Sequence, residues 1–220
     1  MRLRSAGGGL SAHKTMIRLK YGNTNTYFVN GLLIDTDYAG TLGAFYKALK
    51  ASGLDAGEIR WILATHYHPD HMGLIGELTA RGAGLLLIDT QRDSVHFSDR
   101  IFEREKRTFV PVNEGAAKII SCAESRDFLA GIGLQGEIVS TPSHSEDSVS
   151  LILDDGDCFV GDLEPLEYLE AYEENAALAV DWENLLSHGA KRIHSAHRPD
   201  AVTSTCIQSE KERTIWNTFA

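Results

Sequence analysis

The chain has 220 residues and a formal net charge of −10, from 31 acidic against 21 basic residues. Its hydrophobic content of 43% is ordinary for a globular protein, and the length suits one domain or two fused half-domains around a shared core. The negative charge, without a local basic patch, disfavours nucleic acid and anionic membrane surfaces as partners. Neither an export signal nor an apolar run of membrane-spanning length is evident, so we expect a cytoplasmic protein.

The first residues and the cysteines carry little functional signal. Residues 1–14 are rich in Gly, Ser and Ala without periodicity, so we interpret them as a flexible leader to a single domain over residues 15–220. Cys122, Cys158 and Cys206 are widely spaced, which fits neither a disulfide framework nor a Cys-x-x-Cys metal knuckle. We expect all three cysteines to be packed thiols that bind no metal and form no disulfide.

The domain begins with the short β-rich segments MIRLKYG, NTYFVN and LLIDTD. Asn30-Gly31 predicts a hairpin between the last two, because both residues tolerate positive φ. TLGAFYKALKASG has apolar residues at the spacing of one helix face, and Gly53 stands where the helix should end. IRWILAT is a near-continuous apolar run of strand length, which predicts a strand buried on both faces.

A second series of elements follows. GLIGELTARG, ESRDFLAGI, ENAALAVDWENLLSHG and the C-terminal SEKERTIWNTF predict helices, whereas GLLLID, KIIS, GEIVST, SVSLILDD, DCFVGD and KRIHSA predict strands. Asp155-Gly156 predicts a second hairpin. A four-layer αββα sandwich of the α+β class, ordered helix, sheet, sheet, helix, would bury all the apolar runs.

A polar insertion, residues 91–112, separates two of the predicted buried strands and carries alternating charges. It contains Phe97, Phe102 and Phe109, which would face a substrate if the insertion formed a roof over a site. The alternative is a helix pair that simply packs on the outer face of a sheet. The sequence leaves both interpretations open.

The densest chemical signal is the stretch ATHYHPDHMG, which directly follows the apolar run of IRWILAT. It places His66, His68, Asp70 and His71 within six residues. Imidazole and carboxylate are ligands of zinc, iron and manganese, and a loop after a stiff strand lets the side chains point in two directions. The cluster therefore favours two adjacent metals over an exposed turn that binds none.

Three later residues lie where other predicted strands end or meet. His144 lies between two strands, Asp162 follows DCFVG, and His197 follows KRIHSA. Each of them alone is more often a loop histidine or a turn acid than a ligand. Together with the four residues of the first cluster, in this chain order, they form a set of seven candidate metal ligands.

The pattern resembles the signature of the metallo-β-lactamase superfamily of αββα metallohydrolases, which is His-x-His-x-Asp-His followed by single His, Asp and His ligands. The resemblance covers roughly residues 23–200, including NTYFV, LLIDT and Thr65. It implies one metal on His66, His68 and His144, a second on Asp70, His71 and His197, and Asp162 as the bridge.

Two positions depart from the superfamily pattern without removing a ligand. Asp37 and Ser143 stand where members often have Gly. Asp35 would support the cluster from behind, or serve only as a turn acid at a strand end.

The resemblance also implies a mechanism. Two divalent metal ions, zinc first and iron or manganese as alternatives, would hold a bridging hydroxide at neutral pH. Asp70 would act as the catalytic residue that orients this nucleophile, while a metal stabilises the oxyanion. The charge disfavours tRNA-like substrates, and the chain after His197 is too short for a separate glutathione-binding helical domain. We therefore expect a small-molecule ester, thioester or lactone.

Other activities stay open. A β-lactam or phosphodiester hydrolase is one alternative, and a ligand-sensing protein is another. Superfamily members that act as di-iron oxygen or nitric oxide reductases carry Glu where this chain has His68, and they fuse a flavin domain. The oligomeric state is not indicated.

Of the two histidines in KRIHSAHRPD, we expect His197 to be the final ligand. Strand alternation places Ile193 and His194 on opposite faces of a strand, whereas His197 comes after the strand ends. His13, His96, His188 and His194 are expected to be solvent-facing or packing residues, although His96 lies in the insertion.

Overall fold

The computed structural model describes residues 16–171 and 175–203. The predicted leader, His13, Cys206 and the predicted C-terminal helix lie outside these residues. No helix within the described ranges is long and apolar enough to cross a membrane.

The first sheet has six strands that follow one another in chain order. They are β1 (Met16–Lys20), β2 (Asn25–Val29), β3 (Leu32–Ile34), β4 (Trp61–Leu63), β5 (Gly84–Ile88) and β6 (Lys118–Ile120). The first three are antiparallel, and β3 to β6 are parallel. Asn30 and Gly31 have φ of 48° and 92°, which confirms the predicted hairpin turn.

The second sheet has five strands in the order β11-β10-β9-β8-β7. They are β7 (Gly136–Ser140), β8 (Val149–Leu153), β9 (Asp157–Gly161), β10 (Arg192–Ser195) and β11 (Ala201–Val202). The antiparallel pair β8 and β9 is the predicted second hairpin, with Gly156 at φ 94°. The two-residue strand β11 was not predicted, because so short a segment has no periodicity to detect.

Seven α-helices lie within the described residues. They are α1 (Leu42–Ala51), α2 (Pro69–Met72), α3 (Ile75–Thr79), α4 (Asp99–Arg104), α5 (Ser125–Gly131), α6 (Tyr168–Ala171) and α7 (Ala176–Ser187). In and just before the polar insertion, a 3-10 helix at Asp89–Ser94 precedes the short α4. The short helix α6 was not predicted.

Three apolar clusters show how the layers stack. The central cluster joins the two sheets, with Val29 and Leu63 of the first sheet against Leu151 of the second. A second cluster packs the first sheet under α1, α3 and α4, and a third packs Trp182 of α7 on the second sheet. The predicted order of helix, sheet, sheet and helix is confirmed.

Candidate metal centre

The seven residues predicted from the sequence meet at one edge of the sandwich. The cluster that begins at His66 follows β4, while Asp162 follows β9 and His197 follows β10. His144 comes from the loop between β7 and β8. Gly161 makes the close approach of the two sheets feasible, because a side chain there would put Cβ 2.3 Å from the hydroxyl of Thr65, just after β4.

The first ligand group consists of His66, His68 and His144, which together could hold a metal ion. Nε2 of His66 lies 3.0 Å from Nδ1 of His68, and Nε2 of His144 lies 3.2 Å from the same atom. Burial lowers the pKa of His66 far below its ordinary value, and the charge of His71 adds to this effect. A neutral imidazole is the form that binds a metal.

The second ligand group consists of Asp70, His71 and His197, which could hold another ion. Nε2 of His197 lies 3.1 Å from Oδ2 of Asp70, and Nε2 of His71 lies 3.9 Å from its Oδ1. Burial opposes ionisation of Asp70, but the hydrogen bond from His197 and the charge of His71 leave the pKa of this carboxyl below its usual range.

Asp162 lies between the two groups. Its Oδ1 is 3.3 Å from Nε2 of His71 and 3.2 Å from Nε2 of His197, while its Oδ2 is 3.8 Å from Nε2 of His144. Burial alone would raise the pKa of Asp162, but the nearby imidazoles of His197 and His71 hold it well below its usual range. The carboxylate is therefore anionic and faces both groups.

The donor set fits a metal. Nε2 of His71 is buried and meets no described residue with good hydrogen-bond geometry; its nearest acceptor is Oδ1 of Asp162, 3.3 Å away. A buried polar atom without a partner is costly, whereas a cation at this position would satisfy it. Nδ1 of the same ring lies 3.0 Å from Oδ2 of Asp35, which orients the ring so that Nε2 points at the site.

Of the two roles that the sequence suggested for Asp35, the structure shows support of the cluster from behind. Its Oδ1 accepts hydrogen bonds from the backbone N–H of Thr65 at 2.7 Å and from the Thr65 hydroxyl at 3.0 Å. Asp35 has φ of 57°, so the turn after β3 aims the carboxylate back at the cluster.

Two further supporting residues were missed by the sequence analysis. Asp147 accepts a 2.7 Å hydrogen bond from the backbone N–H of Tyr67, which lies between His66 and His68. Gln91 is fully buried, and its Nε2 donates to the carbonyl oxygens of Ala64 at 3.0 Å and Asp147 at 3.2 Å. Gln91, the first residue of the insertion, therefore supports the site through a buried side-chain amide and does not face a substrate.

The insertion presents one of its three phenylalanines to the site. Phe97 is 57% exposed, and its ring centre lies 5.7 Å from that of His68. Phe102 is buried in the core under α4, and Phe109 packs against it, so the expectation that these two rings face a substrate is wrong. The hydroxyl of Ser98 fixes this arrangement by donating to the carbonyl oxygen of Tyr67 at 2.7 Å.

The other described histidines serve packing or surface contacts. His194 is buried and stacks on Phe159, with ring centres 4.8 Å apart, and its Nε2 lies 2.9 Å from Oδ1 of Asp157. It occupies the opposite face of β10 from Ile193, as strand alternation predicts. His96 and His188 are exposed.

With this geometry in place, comparisons with known proteins identify the family. A family model described as the metallo-beta-lactamase superfamily matches residues 19–188. The chain belongs to the metallo-beta-lactamase superfamily. This superfamily consists largely of metal-dependent hydrolases, and the His and Asp groups described above are the candidate metal site of this member.

Solved structures with the same fold include a metallo-beta-lactamase family protein from Thermus thermophilus. That protein has 20% sequence identity and a TM-score of 0.66, over 93% of this chain and 79% of its own. A protein named TTHA1623, solved in a di-iron-bound form, has 20% identity and a TM-score of 0.65, over 88% of this chain and 97% of its own.

A third similar structure is the B3 metallo-beta-lactamase BLEG-1, with 19% identity and a TM-score of 0.63. This match covers 89% of the present chain and 97% of BLEG-1. At these identities, all three likenesses establish the shared fold alone.

Proposed function

We propose that this protein is a dinuclear metal-dependent hydrolase that cleaves a small ester, thioester or lactone. The observation that carries the proposal is the position of Asp162, whose two carboxylate oxygens face two separate ligand groups. One tetrahedral ion cannot use seven converging ligands, whereas two adjacent ions can share them.

In this proposal each metal has its own protein ligands. His66, His68 and His144 would hold one ion, Asp70, His71 and His197 would hold the other, and the carboxylate of Asp162, which faces both groups, would be shared between them. When bound, the two ions would supply an activated hydroxide at neutral pH and a Lewis acid for the carbonyl oxygen of the substrate. Zinc is the metal we expect, because it suits a set of imidazole and carboxylate ligands without redox chemistry.

The protein residues contribute orientation and proton handling. The pKa of Asp70 lies below its usual range, so its carboxylate can accept a hydrogen bond from the nucleophile and align it with the substrate carbonyl. No described serine or cysteine is needed as a nucleophile. Phe97, beside His68, offers an apolar wall for the acyl part of a small-molecule substrate.

The experiment that tests this proposal combines metal analysis with a substrate panel. Protein purified without chelator should contain about two transition-metal ions per chain, mainly zinc, in elemental analysis. Chromogenic esters, thioesters and lactones should be hydrolysed faster than a cephalosporin or a phosphodiester. Activity should disappear on chelation and return on reloading with Zn²⁺.

Several results would overturn the proposal. Protein that binds no transition metal after reloading would refute the site itself. Preferred cleavage of the cephalosporin or phosphodiester would replace the proposed substrate class. Iron at two ions per chain, with oxygen or nitric oxide consumption and no hydrolysis, would establish a redox function instead.

A further inference from the structure

The loop between β1 and β2, residues 21–24, contacts two members of the second ligand group, Asp70 and His197. The hydroxyl of Thr24 donates a 2.7 Å hydrogen bond to the carbonyl oxygen of Asp70. The carbonyl oxygen of Asn23 lies 3.3 Å from Nδ1 of His197. A carbonyl only accepts, so this contact keeps a proton on Nδ1 and turns Nε2 of His197 toward the carboxylates of Asp70 and Asp162.

Asn25, at the start of β2, extends the same support to the segment that carries His197. Its side-chain amide donates to the carbonyl oxygen of Ser195 at 2.9 Å and to that of Arg198 at 3.2 Å. Its backbone N–H donates to the carbonyl oxygen of Ala196 at 2.7 Å. The residues on both sides of His197 are therefore tied to the chain that leaves the β1–β2 loop.

Asp37 holds this loop from behind. It is 3% exposed, and its Oδ2 accepts a 3.1 Å hydrogen bond from the backbone N–H of Thr24. Its Oδ1 accepts a 2.6 Å hydrogen bond from the backbone N–H of Tyr38. A Cβ atom at Gly22 would lie 1.9 Å from Oδ2 of Asp37, so the loop and the carboxylate fit together only with glycine at this position.

The first ligand group has its own buried carboxylate. Besides binding the N–H of Tyr67 between His66 and His68, Asp147 accepts a 2.8 Å hydrogen bond from the hydroxyl of Ser145, the residue after His144. Asp147 is 6% exposed. Asp147 thus binds groups beside the ligands of the first group directly, whereas Asp37 reaches the second group through Thr24, whose hydroxyl binds the carbonyl oxygen of Asp70.

We propose that Asp37 is a positioning residue that, through the β1–β2 loop, sets the metal affinity of the second ligand group but not that of the first. The inference rests on the proposed function, since it needs two metal sites. Its physical basis is that groups behind the ligands fix the ligand orientation, and their loss typically lowers metal affinity about 10- to 100-fold.

The test measures the affinity for Zn²⁺ of metal-stripped variants, by competition with a chromophoric chelator. The variant His144→Ala lacks a ligand of the first group, so it reports on the second group. The variant His197→Ala lacks a ligand of the second group, so it reports on the first group. Adding Asp37→Ala should lower Zn²⁺ affinity about 10- to 100-fold in the first background and leave it unchanged in the second. Adding Asp147→Ala should instead lower Zn²⁺ affinity in the His197→Ala background and leave it unchanged in the His144→Ala background.

Two milder variants guard against a failure of Asp37→Ala to fold. Gly22→Ala forces the carboxylate of Asp37 away from the loop, so it should weaken the same site. Gly43→Ala is its control, because an added Cβ in α1 meets nothing within 4 Å. Asp37→Asn keeps the size and one acceptor oxygen, so it should recover part of the affinity that Asp37→Ala loses.

The outcomes separate this inference from the proposed function. Equal losses in both backgrounds would show that Asp37 only stabilises the fold, and an unchanged affinity would show that it does not position the second group. Either result overturns the inference and leaves the dinuclear hydrolase intact. Parent variants that bind no Zn²⁺ would overturn the proposed function together with the inference.

Discussion

Nδ1 of His71 lies 3.0 Å from Oδ2 of Asp35, and both side chains are buried. Because Asp35 also binds the N–H of Thr65, one carboxylate fixes the backbone before the cluster and the ring at its end. This pairing determines which nitrogen of His71 faces the site, and it leads to the first prediction.

Asp35→Asn should lower metal affinity about 10- to 100-fold while the protein stays folded. Asparagine tolerates the φ of 57° at this position, so the change removes the charge without backbone strain. Metal titration of stripped protein checks the result, with the exposed Asp93→Asn as control. Unchanged affinity in Asp35→Asn would show that this pairing does not orient a ligand.

The second prediction separates two histidines three residues apart. His197→Ala should remove one metal ion per chain and nearly abolish hydrolysis, because Nε2 of His197 faces both Asp70 and Asp162. His194→Ala should keep the wild-type metal content but destabilise the fold by about 2–4 kcal/mol, because its ring is buried against Phe159. Elemental analysis and denaturant unfolding measure the two effects. The reverse ranking in metal content would move the ligand assignment to His194.

The third prediction concerns the insertion. Phe97→Ala should raise KM or change the substrate preference while metal content and stability stay near wild type, since this ring is 57% exposed beside His68. Phe102→Ala should instead cost about 3–5 kcal/mol of stability, because this ring is buried under α4. Steady-state kinetics and thermal unfolding of both variants check the contrast. Identical kinetics for Phe97→Ala and the wild type would leave the insertion without a role at the site.

The fourth prediction follows from the protonation of the second ligand group. Burial lowers the pKa of His71, but Asp35 and Asp162 outweigh it and raise the value to about 10. Hydrogen bonds to Asp162 and Asp70 raise the pKa of His197 to about 10 as well. For a group whose pKa is raised by folding, the stabilisation is complete below the ordinary value of 6.5 and is lost as pH rises through 10.

Metal-free protein should therefore lose stability as the pH rises from about 6.5 to 10. Over the same range fewer protons compete with zinc for the imidazole nitrogens of His71 and His197, so zinc should bind more tightly. The difference in thermal midpoint between zinc-loaded and metal-free protein should widen with pH. Differential scanning calorimetry across this range measures it. Parallel curves for the two forms would contradict the prediction, and His197→Ala should show a shallower dependence in the metal-free form.

The sequence determined the layer order of the fold, and with the superfamily resemblance it also indicated the candidate ligands. The apolar runs have the length and period of strands and helices, and stacking two sheets between helices buries them all. The candidate ligands were predictable because polar residues that follow buried strands meet at one edge, as His66 and Asp162 do, and because their order along the chain resembles the superfamily signature. Local sequence therefore determined which chemistry is brought together.

Only the tertiary structure decided which residues hold those ligands in place. Asp147 binds the N–H of a residue 80 positions earlier, and Asn25 binds the carbonyl oxygen of a residue 170 positions later. Such contacts leave no period or motif in the chain, because they depend on how the two sheets face each other. The same reason explains why Phe97 and Phe102 look alike in sequence, yet the packing of α4 exposes one ring at the site and buries the other.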